Sequence, residues 1–354
     1  MIDAESPVRQ ALDWLAAGRT VALATVVRTW GSAPRPAGSL LAATADGDFA
    51  GSVSGGCVEA QVLDAAARVL ARRRAEILEF SVADERAWQH GLACGGDVTV
   101  LVEPAPDASI LSAIMVRPPI ALVTDLASAT HALVGPQSIE GPLPLSAEAV
   151  AAAREALRDD RSRPIDTEGR VLFATVFNPP LRLVVVGGVH IAQALAPLAA
   201  GLGLAMSVVD PRTGFASAAR FPGVDVRTDW PDDALAALRP DSRTAVVSLT
   251  HDPKLDDPAL EAALGSEAFY IGALGSSRTH AKRLERLRAR GWAEPALARI
   301  HGPVGLDLGG RKAAEIALSI LAELVAVRYG RPSRAAAISA SGRHTVSAGN
   351  TLRS

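Results

Sequence analysis

The chain has 354 residues, 49 % of them hydrophobic and 21 % charged, with a formal net charge of −2 at pH 7 and two cysteines. That length accommodates two domains with ordinary cores, and the near-neutral charge excludes the electrostatic footprint of a nucleic-acid-binding protein. No apolar run reaches the roughly 18–20 residues of a bilayer span, the acidic start is not a signal peptide, and two cysteines make no disulfide framework. The expectation is therefore a cytoplasmic chain, not associated with membrane, with its thiols reduced.

In chain order, PVRQALDWLAAG spaces Val8, Leu12 and Leu15 as a helix does, and TVALATVVRTW reads as a buried strand. GSAPRPAGS (Gly31 to Ser39) is a loop stiffened by prolines. LLAATADGDFAGSVS reads as two strands joined at Asp46-Gly47, a hairpin signal. From Val58 to about Arg73 a helix is expected, with Val58, Val62, Ala65, Ala66, Val69 and Leu70 inward and the basic run ARVLARRR as its solvated C-terminal end. DVTVLVEP alternates as a half-buried strand. PPIALVTDL and GRVLFATVF add two strands around a helix near Ala147 to Leu157.

Asn178-Pro179-Pro180 breaks the pattern and marks the expected boundary between an N-terminal α+β domain, residues 1–178, and a second domain, residues 179–331. In the second domain LRLVVV, AMSVVD, RTAVVSL and FYIGAL alternate with helices, which implies a parallel sheet covered on both faces. The small, polar segment 332–354 reads as a disordered tail. No internal repeat is visible in the residues.

VVVGGVHIAQAL followed by VVDPR is strand, glycine turn, helix and a second strand ending in an acid, a Rossmann-like arrangement. Gly187 and Asp210 are separated by about the ~20 residues expected between a phosphate-binding turn and a ribose-binding acid. Val189, however, stands where a pyrophosphate approaches in such folds, so NAD(P) is the weaker ligand assignment. His190 is either a ligand contact or a cap of the turn, and Asp210 either a ribose ligand or a salt-bridged strand end. IGALGSSR offers a better anion site: Gly275, Ser276 and Ser277 supply backbone donors and hydroxyls at a helix start, and Arg278 adds a bidentate fork. In HGPVGLDLGG, Asp307 is the acid expected to face a pocket.

Cys57 follows Gly55 and Gly56 at the start of a helical run, where the helix dipole favours a thiolate and Glu59 opposes it. The paired glycines remove bulk around the sulfur. Cys94 is flanked by Gly91 and by Gly95-Gly96. Neither cysteine has the spacing of a zinc site. Buried small hydrophobes are the plainer reading of lone cysteines, and the double-glycine settings favour a functional one.

Together GSAPRPAGSLL, SGGCVE, GLACGGDVTVLVEP, VVVGGVHIAQAL, VVDPR, YIGALGSSR, GPVGLDLGG and EIALSILAELVAVRYG resemble, in this order, the XdhC/CoxI family of xanthine dehydrogenase accessory proteins, over roughly residues 8 to 331. The resemblance implies an N-terminal XdhC/CoxI-type domain bearing the cysteine motif, followed by a Rossmann-like domain. It implies a protein that binds molybdenum cofactor (a molybdopterin) transiently, holds it while a cysteine desulfurase or sulfurtransferase supplies the terminal sulfur, and inserts it into an apo molybdenum hydroxylase of the xanthine dehydrogenase type. Cys57, Cys94 and His190 take the places of the family's motif residues. Molybdenum is thiophilic, so Cys57 is the expected metal contact, and the pterin phosphate suits Gly275 to Arg278. Val189 and Lys312-Ala313-Ala314 depart from the family pattern. A homodimer is a further expectation of the family. The alternatives are an NAD(P)-dependent oxidoreductase and a pure interaction module; a xanthine dehydrogenase itself is excluded, because two [2Fe–2S] clusters need about eight cysteines.

Overall fold

The computed structural model describes residues 7–31, 33, 35–81, 96–167 and 169–331. The chain divides into two compact units, Met1–Pro179 and Pro180–Ser354. Cys94 and the segment expected to be a disordered tail lie outside the described residues.

In the first unit, α1 (Pro7–Ala16) leads into β1 (Val21–Trp30), β2 (Leu40–Thr44) and β3 (Phe49–Gly51). The expected hairpin at Asp46-Gly47 forms, with Gly47 at φ +89°, a left-handed conformation that glycine adopts without side-chain strain. Next come α2 (Glu59–Arg72), β4 (Glu76–Phe80) and β5 (Asp97–Pro104), completing an antiparallel sheet of order β3-β2-β1-β5-β4. The helical periodicity of α2 places Val62, Ala65, Ala66 and Val69 on Ala22, Ala24 and Val26 of β1 and on Val98, Val100 and Val102 of β5. β1 changes register between Val26 and Arg28, and Val27, on the face opposite Val26, clusters with Leu101 and Phe173.

α3 (Ala108–Val116), β6 (Ile120–Asp125), β7 (His131–Val134), β8 (Ile139–Glu140), α4 (Ala147–Asp159), β9 (Arg163–Thr167) and β10 (Arg170–Phe177) follow. Their sheet has the order β8-β7-β6-β10-β9, and α4 covers it through Val150, Ala153 and Leu157. Both sheets follow one plan: a three-strand meander, a helix, then two strands that close onto the first. The unit is thus a topological repeat, although the residues show none. The repeat resides in the connections, and the side chains filling the two cores differ. α1 and α3 join the halves, since Val8, Ala11, Leu111 and Ile114 share one apolar cluster with Leu23, Leu40, Leu122 and Leu133.

The second unit contains β11 (Arg182–Val186), α5 (His190–Gly201), β12 (Ala205–Val209), β13 (Asp225–Arg227), α6 (Pro231–Leu238), β14 (Thr244–Ser248), α7 (Pro253–Leu264), β15 (Tyr270–Ala273), α8 (Ser277–Ala289), α9 (Glu294–Leu297), β16 (Ile300–His301) and α10 (Ala313–Arg328). All its strand pairs are parallel, in the order β13-β12-β11-β14-β15-β16. That is the Rossmann order, whose direction reverses between β11 and β14 and opens a crevice at their C-terminal ends. α5 and α10 cover one face, α6, α7 and α8 the other. Among the described residues no helix is long and apolar enough to cross a membrane.

Candidate functional site

Cys57 lies one residue before Val58, the N-cap of α2, so the thiol sits just outside the first helical turn. It is half-buried and unpaired with another cysteine, packing against the edge of the α2-facing core. Gly55 and Gly56 have φ of +76° and +117°, while a Cβ at either would meet nothing within 4 Å. Both angles lie in the left-handed region that glycine adopts without side-chain strain, so the loop requires the pair for its backbone conformation.

Glu59 holds this loop. Its carboxylate accepts from the Ser52 hydroxyl at 2.8 Å and from the backbone N–H groups of Val53, Ser54 and Gly56 at 3.3, 3.0 and 2.8 Å. The Ser54 hydroxyl donates to it as well and accepts from Val58 N–H at 2.9 Å. Burial pushes the carboxyl upward, but the hydrogen bonds from Ser54 and Ser52 outweigh it and bring its pKa down to about 2. The sequence presents Glu59 only as an anion beside the thiol. Its larger role is to order Ser52 to Gly56 and so to fix Cys57. An acid at the first helical position, following two serines and two glycines, was the available signal.

In the second unit, Asp210 is fully buried at the end of β12. One oxygen accepts from Gly188 N–H at 2.9 Å, and both are gripped by the Arg212 side chain at 2.8 Å. The Asp210 carboxyl is lowered: burial raises it, and Arg212 together with the Gly188 amide overrides that. The segment after Asp210 folds over the glycine turn. Arg212 stacks 4.2 Å from the Phe215 ring, and Arg220 donates to the carbonyls of Gly188 and Phe215 at 2.7 and 2.6 Å. Val189 is half-buried against the α5/α10 core, and His190 is the exposed first residue of α5. The N-cap Val189 makes no side-chain cap hydrogen bond to the first turn of α5.

A Cβ at Gly188 would lie 2.5 Å from the Phe215 carbonyl oxygen. Gly188→Ala is therefore expected to displace the 212–220 segment and destabilise the unit by about 1–3 kcal/mol. Thermal unfolding checks this, and an unchanged midpoint would show that the segment does not clamp the turn.

Ser276 caps α8, its hydroxyl accepting from Thr279 N–H at 3.2 Å. Gly275 has φ +140°, and Ser277 and Arg278 are exposed. Gly275, Ser276, Ser277 and Arg278 thus come together at one helix start. Beneath it, Arg283 is 1 % exposed and donates to Leu274 O at 2.8 Å and to Asp256 at 3.2 Å. Asp256 also accepts from Ser248 and Thr250. This buried network ties the turn to the end of β14; an arginine at an inward helical position was its one trace in the residues. Asp307 is exposed, and among the described residues its carboxylate accepts only from Gly309 N–H, at 3.3 Å. Among the described residues no three His, Cys, Asp or Glu side chains gather as a metal-binding group.

The family model for the XdhC and CoxI family matches residues 14–81, which include Cys57, and that for the XdhC Rossmann domain matches residues 183–324. The chain is 31 % identical over 327 residues to the molybdenum cofactor insertion chaperone PaoD of Escherichia coli (strain K12), covering 92 % of this chain and 89 % of PaoD. It is 26 % identical over 322 residues to a probable xanthine dehydrogenase subunit of Bacillus subtilis (strain 168), covering 86 % and 92 % of the two chains. A crystal structure of a Bacillus halodurans protein described as a xanthine dehydrogenase shares the fold, with a TM-score of 0.73 over 95 % of this chain and 99 % of the other at 23 % identity. With its cysteine loop and its Rossmann sheet each inside a matched region, and with PaoD similar along nearly its whole length, the chain belongs to the XdhC/CoxI family.

Proposed function

We propose that this chain is a cytoplasmic carrier of molybdenum cofactor. It holds the molybdopterin as cargo while a sulfurtransferase supplies the terminal sulfur, and it then delivers it to an apo hydroxylase of the xanthine dehydrogenase type. The similarity to a cofactor insertion chaperone supports this reading. The observation that carries it is the Cys57 loop: a half-buried thiol presented by a segment that Glu59 fixes through three backbone and two hydroxyl donors. A preorganised soft donor suits a thiophilic metal. In this role Cys57 contacts the molybdenum, Cys94 supports the same cargo, and no acid or base acts in catalysis. Separately, Gly275 to Arg278 is the candidate for the pterin phosphate: the first amides of α8 point out of the helix, and the Arg278 guanidinium stands exposed beside them.

The oxidoreductase alternative is less favoured, because Arg212 engages both oxygens of Asp210 and the 212–220 segment covers Gly188. The test is the pterin content of protein purified anaerobically from a cofactor-producing host, read as the fluorescent oxidation product. Near-stoichiometric pterin is expected in the wild type, with a loss of about tenfold or more in Cys57→Ala, which corresponds to at least ~1.4 kcal/mol of binding. Equal pterin in both would remove Cys57 from the metal. Absence from both, with NADH binding by titration, would replace the carrier by the oxidoreductase.

A further inference from the structure

The basic run at the end of α2 has a setting that the cofactor reading does not use. Arg73 and Arg74 edge a cleft of about 680 Å³ inside the first unit, at the end of α2 away from Cys57. Both are exposed, and neither guanidinium forms an ion pair or hydrogen bond among the described residues. The β6–β7 turn contributes Leu126, Ser128 and Thr130 to the lining, which also includes His131. His131 is buried, with Nε2 3.0 Å from the fully buried Glu103 carboxylate. Ile77, Pro106 and Ile110 supply an apolar side, and Ile77 remains 45 % exposed. The one carboxylate lining the cleft is Asp107, against two arginines.

Two residues lining this cleft have left-handed backbone. Arg73 has φ +51° and Ala129 has φ +53°, two of the four non-glycine residues in the left-handed region among those described. At Arg73 the left-handed cap ends α2 where glycine is the usual choice.

We propose that this cleft between the two topological repeats binds a compact organic anion, its carboxylate, sulfonate or phosphate held by Arg73 and Arg74 and its apolar body lying on Ile77, Pro106 and Ile110. The volume is that of a small-molecule site. Two unpaired, forked cations beside an exposed apolar wall are complementary to that ligand class and to neither a simple ion nor a neutral hydrocarbon.

The probe is 1-anilinonaphthalene-8-sulfonate, which combines a sulfonate with an apolar body, titrated into the full chain by fluorescence. One saturable site per chain is expected. Arg73→Glu/Arg74→Glu should weaken it at least ~10-fold, equivalent to about 1.4 kcal/mol, while Arg73→Lys/Arg74→Lys loses less. These positions are exposed, so the fold should survive, and an unchanged thermal midpoint confirms it. Naphthalene-1-sulfonate should displace the probe at concentrations where 1-naphthol and inorganic phosphate do not. Binding equal in wild type and the double glutamate variant, non-saturating binding, or displacement by phosphate alone at the same concentration would each overturn the proposal.

Discussion

Glu59→Gln is expected to destabilise the first unit by about 2–3 kcal/mol at neutral pH, because an amide presents a donor to a ring of donors and leaves buried N–H and O–H groups unpaired. The carboxylate accepts from three backbone amides and two serine hydroxyls. Its pKa in the folded chain, about 2, lies below the ordinary 4.5. A lowered folded pKa means the contribution is complete above pH 4.5 and is lost as the pH falls through 4.5 toward 2. The gap between wild type and variant in urea unfolding should therefore be full at pH 7 and shrink by pH 3. A variant as stable as wild type at pH 7 would show that the hydrogen bonds around Glu59 are not what orders the loop. In a Cys94→Ser background, the same substitution should also speed thiol labelling of Cys57.

The second large effect is expected at Arg283. Its guanidinium is the largest fully buried side chain among those described and pairs with Asp256, itself 2 % exposed. Arg283→Met should cost about 3–5 kcal/mol, because it strands the Asp256 carboxylate in the core. The double substitution Arg283→Met/Asp256→Leu removes both charges and should recover part of that loss. Each kilocalorie corresponds to about 2–4 °C in melting temperature for a unit of this size. A double variant no more stable than the single one would show that the arginine acts through Leu274 O alone. If Arg283 sets the Gly275–Ser276 turn through that carbonyl, phosphate protection of the unit against unfolding should also be lost in the single variant.

The parallel half of the fold was legible in the residues because its strands are short, fully apolar runs separated by helical periodicity. LRLVVV, AMSVVD, RTAVVSL and FYIGAL became β11, β12, β14 and β15. β13 and β16 have three and two residues, too few for a pattern to emerge. The first unit was legible in part. β9 contains Pro164 and lies at a sheet edge, where proline is tolerated but masks the strand signal. α3 is apolar nearly all round, so its periodicity is weak. At the candidate site, the position of Cys57 before α2 and the turn-forming glycines were readable. The hydrogen bonds of Glu59, the grip of Arg212 on Asp210 and the Asp256–Arg283 pair were not, since each depends on a partner brought close by the fold.

The duplicated plan of the first unit provides the chain with its own scaffold control. In the first copy the connection from the meander to the helix is Ser52 to Val58, and in the second the corresponding connection is Gly141 to Ser146, which contains no thiol and ends in an ordinary serine cap. One copy of the architecture bears the cysteine loop, and the other reaches the same topology without it. The architecture therefore does not require that loop, and transplanting Ser52–Glu59 into the second connection would separate what the loop does from where it sits.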